Sequence, residues 1–166
     1  MEYFKYDINA ATSSTFVQQR DKILPEAFEF LFHKFTNAFD KLKTFDGYRL
    51  LAVDGSDLNI FHNPENTDSY FQSKPERKGF NQVHINAMYD VCNRLYVDSI
   101  IQPGRKENEY RALTDMVDRS EISSNVIVLA DRGYESYNVF AHIEKKRWNY
   151  VIRVKDICSN GILSGL

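Results

Sequence analysis

Two stretches of this sequence share one pattern. In "LLAVDGSDL", residues 50–58, an apolar run reaches Asp54 and a glycine follows at once. In "VIVLADRGY", residues 126–134, an apolar run reaches Asp131, and Gly133 lies two residues on. Each reads as a buried strand that ends on a carboxylate. If the strands at 48–54 and 126–131 are parallel neighbours, about 4.8 Å apart, both acids emerge at the C-terminal ends of adjacent strands, where open α/β sheets bind ligands. Two carboxylates that close repel, and one stays protonated unless a cation intervenes. Hard oxygen ligands with room for water and phosphate oxygens suit magnesium or manganese. Two such ions roughly 3.5–4 Å apart activate water and stabilise the leaving oxygen in phosphodiester cleavage. The same pattern also fits two ordinary strand-to-turn transitions, because Asp-Gly is a turn signal. Asp57 competes with Asp54 but falls past Gly55, in what reads as a loop. Asp90, Asp98, Asp115 and Asp118 read as charges on a hairpin or a helix surface.

Other chemistry is thinner. His62 stands alone in a loop, His84 falls on the polar face of a hairpin, and His33 and His142 fall in helices; none shows metal-ligand spacing. Ser56 and Ser136 lack a histidine partner for a triad. Basic residues gather in "KPERKG" (Lys74, Arg77, Lys78), in "GRK" (Arg105, Lys106) and from Lys145 to Lys155. Tyr70, Phe71 and Phe80 flank the first group, and aromatics beside cations can hold unpaired bases. Arg132 directly follows the second acid, where it could hold a phosphate. Each basic group could equally be a solvated face.

The elements that must position these residues can be read along the chain. Residues 12–40 read as helical, with Ser13 or Ser14 as a cap and Pro25 in the first turn of a second helix, where its missing N–H costs nothing. Phe28, Phe32, Phe35 and Phe39 fall on one helical face, expected to pack into a core. A strand runs from Tyr48 to Val53, and residues 55–80 read as a long polar loop. The alternation of Val83, Ile85, Ala87, Tyr89 and Val91, broken at Asn93-Arg94 and resumed at Leu95 and Val97, marks a β-hairpin. Tyr110, Leu113, Met116 and Val117 have helical spacing. "NVIVLA" suits a strand covered on both faces. A helix carrying Val139, Phe140 and Ile143 follows, ending in basic residues that suit its dipole, and "WNYVIRVK" is the last strand. The expected sheet is mixed and five-stranded, in the order 3-2-1-4-5, with strand 2 antiparallel to strands 1 and 3.

The bulk composition agrees with a folded domain. The chain has 166 residues, 43% of them hydrophobic, enough for a core. The net charge of −2 gives no global pull toward nucleic acid, so any such binding must be local. No apolar run approaches the length of a membrane span. Cys92 and Cys158 have no CxxC partner, and with no secretory signal in "MEYFKYDINA" this favours a reducing cytoplasm.

"LLAVDGSDL", "ADRGYESYN" and "YVIRVKD" together resemble the insertion-sequence DDE transposases, the cut-and-paste bacterial group, from about Phe16 to the end of the chain. The resemblance implies a ribonuclease H-like core, with Asp54 and Asp131 as the first two catalytic and metal-binding acids. It implies two magnesium or manganese ions in the complete enzyme. It also implies hydrolysis at transposon ends, followed by attack of the freed 3′-hydroxyl on target DNA. DNA, and a second copy forming a homodimer in the complete protein, are the partners expected. The family's third acid is a glutamate on a later helix, in a pattern of Tyr, Arg, Glu and Lys that this chain lacks. "SNGILSGL" resembles the start of the β insertion that precedes that helix. The expected division is therefore a helical segment over 1–44, a partial catalytic core over 45–156 and the start of a truncated insertion over 157–166, inactive alone. The alternatives are a non-catalytic DNA-binding relic, or a ribonuclease H-like nuclease that draws Glu107 or Glu109 from the helix after the hairpin. The plainer reading of those two glutamates is charge placed favourably at a helix N-terminus.

Overall fold

The computed structural model describes residues 12–39 and 41–164, so residues 1–11 of the expected N-terminal segment lie outside it. The chain divides after Ala38 into two compact units. The first holds α1 (Ser13–Gln19) and α2 (Pro25–Thr36). Thr12, not Ser13 or Ser14, caps α1: its Oγ1 accepts the Thr15 N–H at 3.2 Å. Pro25 opens α2 as expected, where no N–H partner is needed. The phenylalanine stripe does not form a core: Phe28 and Phe35, and Phe39 just beyond the unit, are exposed. Among the described residues this unit offers two short helices and no second layer to bury such a stripe against.

The second unit is built on one mixed sheet, whose strands among the described residues are β1 (Arg49–Ile60), β2 (Tyr70–Phe71), β3 (Phe80–Asp90), β4 (Leu95–Pro103), β5 (Val126–Ala130) and β6 (Asn149–Ile152). The order is β4-β3-β1-β5-β6, with the short β2 also on β3. β3 runs antiparallel to β1 and β4, while β1, β5 and β6 are parallel. This is the expected 3-2-1-4-5 order with strand 2 reversed, plus β2 on the flank.

Helices α3 (Glu109–Arg119) and α4 (Tyr137–Lys145) pack together on one face. Leu113, Met116 and Val117 of α3 meet Val139 and Ile143 of α4 over Leu51, Val53, Val126 and Val128. Burial along β5 therefore alternates, with Val126 and Val128 buried and Ile127 and Leu129 only half so. The double-sided cover expected for "NVIVLA" is absent among the described residues, because both helices lie on the same side.

β3 carries its apolar alternation on the other side. Val83, Ile85, Ala87 and Tyr89 are half-exposed, whereas His84, Asn86, Met88 and Asp90 face the helices and are buried. Asp90 is thus not the surface charge expected. Its Oδ2 accepts from Arg49 Nε at 2.9 Å, and its Oδ1 accepts from the N–H and the Nδ2 of Asn93. Asp98 is likewise buried and pairs with Arg119, pinning α3 to β4. Removing one partner of a buried pair strands the other charge, at a cost of roughly 3–5 kcal/mol. Asp90→Ala should therefore lower the urea midpoint by that much stability, read by the fluorescence of Trp148, the single tryptophan and a buried one. A change near zero would show that Arg49 finds water.

Candidate metal centre

The parallel pairing of β1 with β5 runs from Arg49↔Val126 to Val53↔Ala130 and stops there. Asp54 and Asp131 are the next residue on each strand, so they leave neighbouring strands at one level. Both line an open hollow with Val53, Leu129, Val151 and Arg153. Each is exposed and holds its own turn: Asp54 Oδ1 accepts the Gly55 N–H at 2.9 Å, and Asp131 Oδ1 accepts the Gly133 N–H at 2.7 Å. The expectation that Asp54 ends its strand, with Asp57 in a loop beyond, is corrected. β1 continues to Ile60, and Asp57 pairs in register with His84 on β3. β3 gives this stretch a full antiparallel partner, which overrides the Asp-Gly turn signal. The extension is exposed along most of its length and so shows no apolar period.

The helix-covered side of the same level holds residues that the sequence reading gave plainer roles. His84 is buried; its Nδ1 donates to Asp57 Oδ1 at 2.8 Å and its Nε2 donates to Glu109 Oε1 at 3.2 Å. Burial opposes protonation of His84, but the Asp57 hydrogen bond and the charges of Glu107, Glu109 and Asp57 outweigh it, and its pKa stands above the usual 6.5. Asp57, His84 and Glu107 offer ligand atoms within 4.8 Å of one another, the spacing of a metal site. Glu109 is placed by a relay from the sheet. Asn86 Nδ2 and the Asn108 N–H both donate to Gln102 Oε1, and the Asn108 side chain caps α3 by accepting the Arg111 N–H. Glu109 is then the first residue of the helix. The sequence reading named it with Glu107 as an acid at this helix start; the "NE" pair, an N-cap asparagine followed by an acid at the first helical position, is the signal that separates the two.

Tyr134 is 1% exposed, and its hydroxyl has no hydrogen-bond partner among the described residues. Burial pushes its phenol well above the usual range, and the charges of Glu109, Asp54 and Asp131 push the same way. Asp54 and Asp131 at the rim of one hollow are hard oxygen donors of the kind that suits a divalent cation.

The basic residues take separate places. Lys74, Arg77 and Lys78 are exposed on the turn between β2 and β3. Arg105 and Lys106 sit on the turn after β4: Arg105 lies 4.9 Å from the Phe71 ring and donates to Tyr70 O, and Lys106 pairs with Asp68 at 2.6 Å. Phe71 stacks on Phe80. Both basic groups thus border β2, whereas Arg132 follows the second acid directly and is exposed.

A mixed sheet in this order, with an aspartate following the last paired residue of each of two parallel neighbours, defines the ribonuclease H-like class. Residues 45–160 match the family model of the transposase DDE domain, and the chain belongs to that family. No curated protein matches it. Family membership implies use of a divalent metal and DNA as partner. No helix among the described residues is long and apolar enough to cross a membrane.

The turn after Asp131 is tied down by Glu135, a buried residue that accepts the N–H groups of Lys155 and Ile162. The Lys155 hydrogen bond comes first, and with the Ile162 bond and the Lys155 charge it outweighs the effect of burial, holding the Glu135 carboxyl below the usual 4.5. A carboxylate lowered in the folded state stabilises above its unfolded pKa, and that contribution fades as pH falls through the folded value. Acidification below pH 4.5 should therefore shift the Lys155 and Ile162 amide resonances together with the Glu135 carboxyl resonance, and Glu135→Gln should abolish the coupled transition. Amide shifts that follow an unperturbed carboxylate would count against this tie.

Proposed function

We propose that this chain carries out metal-dependent hydrolysis and strand transfer on DNA at insertion-sequence ends, with Asp54 and Asp131 as the catalytic, ion-holding carboxylates. The observation behind this reading is the register that ends at Val53↔Ala130 and sets both acids side by side at the rim of one hollow. Magnesium or manganese, two ions in the full reaction, would supply an activated water and neutralise the leaving oxygen.

The chain's own groups do the rest. Asp54 and Asp131 hold the charge that attracts the ions and fix its position. Arg153 on the rim and Arg132 beside the second acid suit a scissile phosphate, as guanidinium donors match phosphate oxygens. Lys74, Arg77, Lys78, Arg105 and Lys106 lie farther along β3 and suit the DNA backbone, a salt-sensitive contribution. Phe71 and Phe80 beside them suit an unpaired base. A second copy of the chain and a cytoplasmic setting belong to the same reading.

The test is nicking of supercoiled plasmid by the 166-residue chain with manganese. The expectation of inactivity rested on the missing third acid and on missing DNA-binding surface; Glu109, the first residue of α3, is the acid that would let the chain nick without the former. Asp54→Asn and Asp131→Asn should each reduce the rate on the order of 10²–10³, as for loss of one preorganised electrostatic group. DNA binding without metal-dependent nicking would leave a binding module and overturn the proposal, as would nicking that both variants retain.

A further inference from the structure

We propose that Asp57, His84 and Glu107 form a binding site for a transition-metal ion of the zinc type, separate from the aspartate pair. The three residues come from three places in the fold: the far half of β1, the middle of β3, and the position that follows the turn after β4.

This site lies on the other side of β1 from Asp54. Val53 is buried under the helices and Asp54 faces away from them, so strand alternation returns Asp57 to the helix-covered side. There it stands opposite His84, its register partner on β3. Asp54 and Asp131 line their hollow with Val151 and Arg153, and none of Asp57, His84 and Glu107 lines it.

The spacing fits one ion. His84 Nδ1 lies 2.8 Å from Asp57 Oδ1 and 3.5 Å from Glu107 Oε2. Ligands about 2.1 Å from a tetrahedral ion stand about 3.4 Å from one another. Asp57 and Glu107 are exposed side chains with room to adjust to that spacing. Water can take the fourth position, as it does where protein supplies three ligands.

The donor set selects the ion. Magnesium takes oxygen ligands and keeps several waters, whereas an imidazole nitrogen beside two carboxylates suits zinc and its neighbours. His84 is also held as a metal-ligating histidine is. Such a histidine nearly always gives its second ring nitrogen to a carboxylate, a carbonyl or a water, which fixes the ring. Here Nε2 donates to Glu109 Oε1 at 3.2 Å, and Nδ1 is left to face Asp57 and Glu107. The ion would take the place of the Nδ1 proton, which passes to solvent. Asp57, Glu107 and Glu109 surround this one imidazole. A divalent ion offsets their charge better than a single proton does.

A buried acceptor points the same way. Asn86 is the next residue of β3 on the face of His84, and its Nδ2 reaches back to Gln102, the partner of His84 on β4. Gln102 also accepts the N–H of Asn108, which follows Glu107 in the chain. Asn86 is 0% exposed, and its Oδ1 has no hydrogen-bond partner among the described residues. Buried polar atoms are rarely left so. Water carried by an ion at Glu107 would supply the missing donor.

The experiment is zinc titration of the whole 166-residue chain by calorimetry, with magnesium in large excess to occupy the aspartate hollow. Cobalt in place of zinc reports the ligands by its visible spectrum. One saturable site is expected, with cobalt bands of nitrogen and oxygen ligation and none of the thiolate charge-transfer bands that Cys92 or Cys158 would give. Asp57→Asn, His84→Gln and Glu107→Gln should each weaken zinc binding by at least the roughly 10–100-fold that loss of an orienting partner costs. Zinc should raise the Tm of the unaltered chain and leave that of Glu107→Gln unmoved. Glu107 is exposed, so this variant decides the matter if His84→Gln does not fold. Asp54→Asn and Asp131→Asn should keep the zinc site. Zinc binding that these two variants abolish would place the ion in the hollow and overturn the inference. So would thiolate bands, a Glu107→Gln chain that binds zinc as the unaltered one does, or no saturable site. Plasmid nicking tests the aspartate pair separately, so either reading can fail alone.

Discussion

The site depends on one mismatch of length. β1 keeps β3 as a partner as far as Ile60↔Asn81 but loses β5 after Val53↔Ala130. Before that point the strands are held by an apolar core of Leu51, Val53, Val126 and Val128. Beyond it, side chains from both faces of the sheet can approach one another. Hydrophobic burial scales with the apolar area removed from water. It can therefore hold two backbones in register even where the next residues are like charges. The core sets the spacing of Asp54 and Asp131; the carboxylates themselves oppose it.

The second organising feature is the buried polar content of β3. Buried polar groups are costly unless paired, and nearly all of these have partners with a positional consequence. Asp90 receives Arg49 and Asn93 at the base of the hairpin. Asn81 donates to Asn63 O and Ser69 Oγ, which folds the loop between β1 and β2 onto the sheet. Asn86, through Gln102 and Asn108, fixes where α3 begins. His84 joins Asp57 to Glu109. Such networks are electrostatically strong in a low dielectric and penalise any rearrangement that breaks them. The strand thus sets the position of groups that ions and DNA would meet.

What the sequence determined by itself is local. Apolar runs of strand length, the turn at Asn93-Arg94 and the helical spacing of Leu113, Met116 and Val117 marked the elements, and the order of elements constrained the sheet. Asp54 and Asp131 were legible because each directly follows an apolar run, a pattern visible within nine residues. The tertiary structure decided the remainder. Asp57 reads as a loop residue because β1 beyond Gly55 has no buried face to give it a period. Asp90 reads as a surface charge because its partner Arg49 lies 41 residues away in sequence. Glu109 reads as a helix-end charge because its neighbours are Gly55, His84 and Gly133, each from another element. Periodicity and turn chemistry are written into neighbouring residues. The meeting of charges is settled only when long-range strand pairing removes the distance between them.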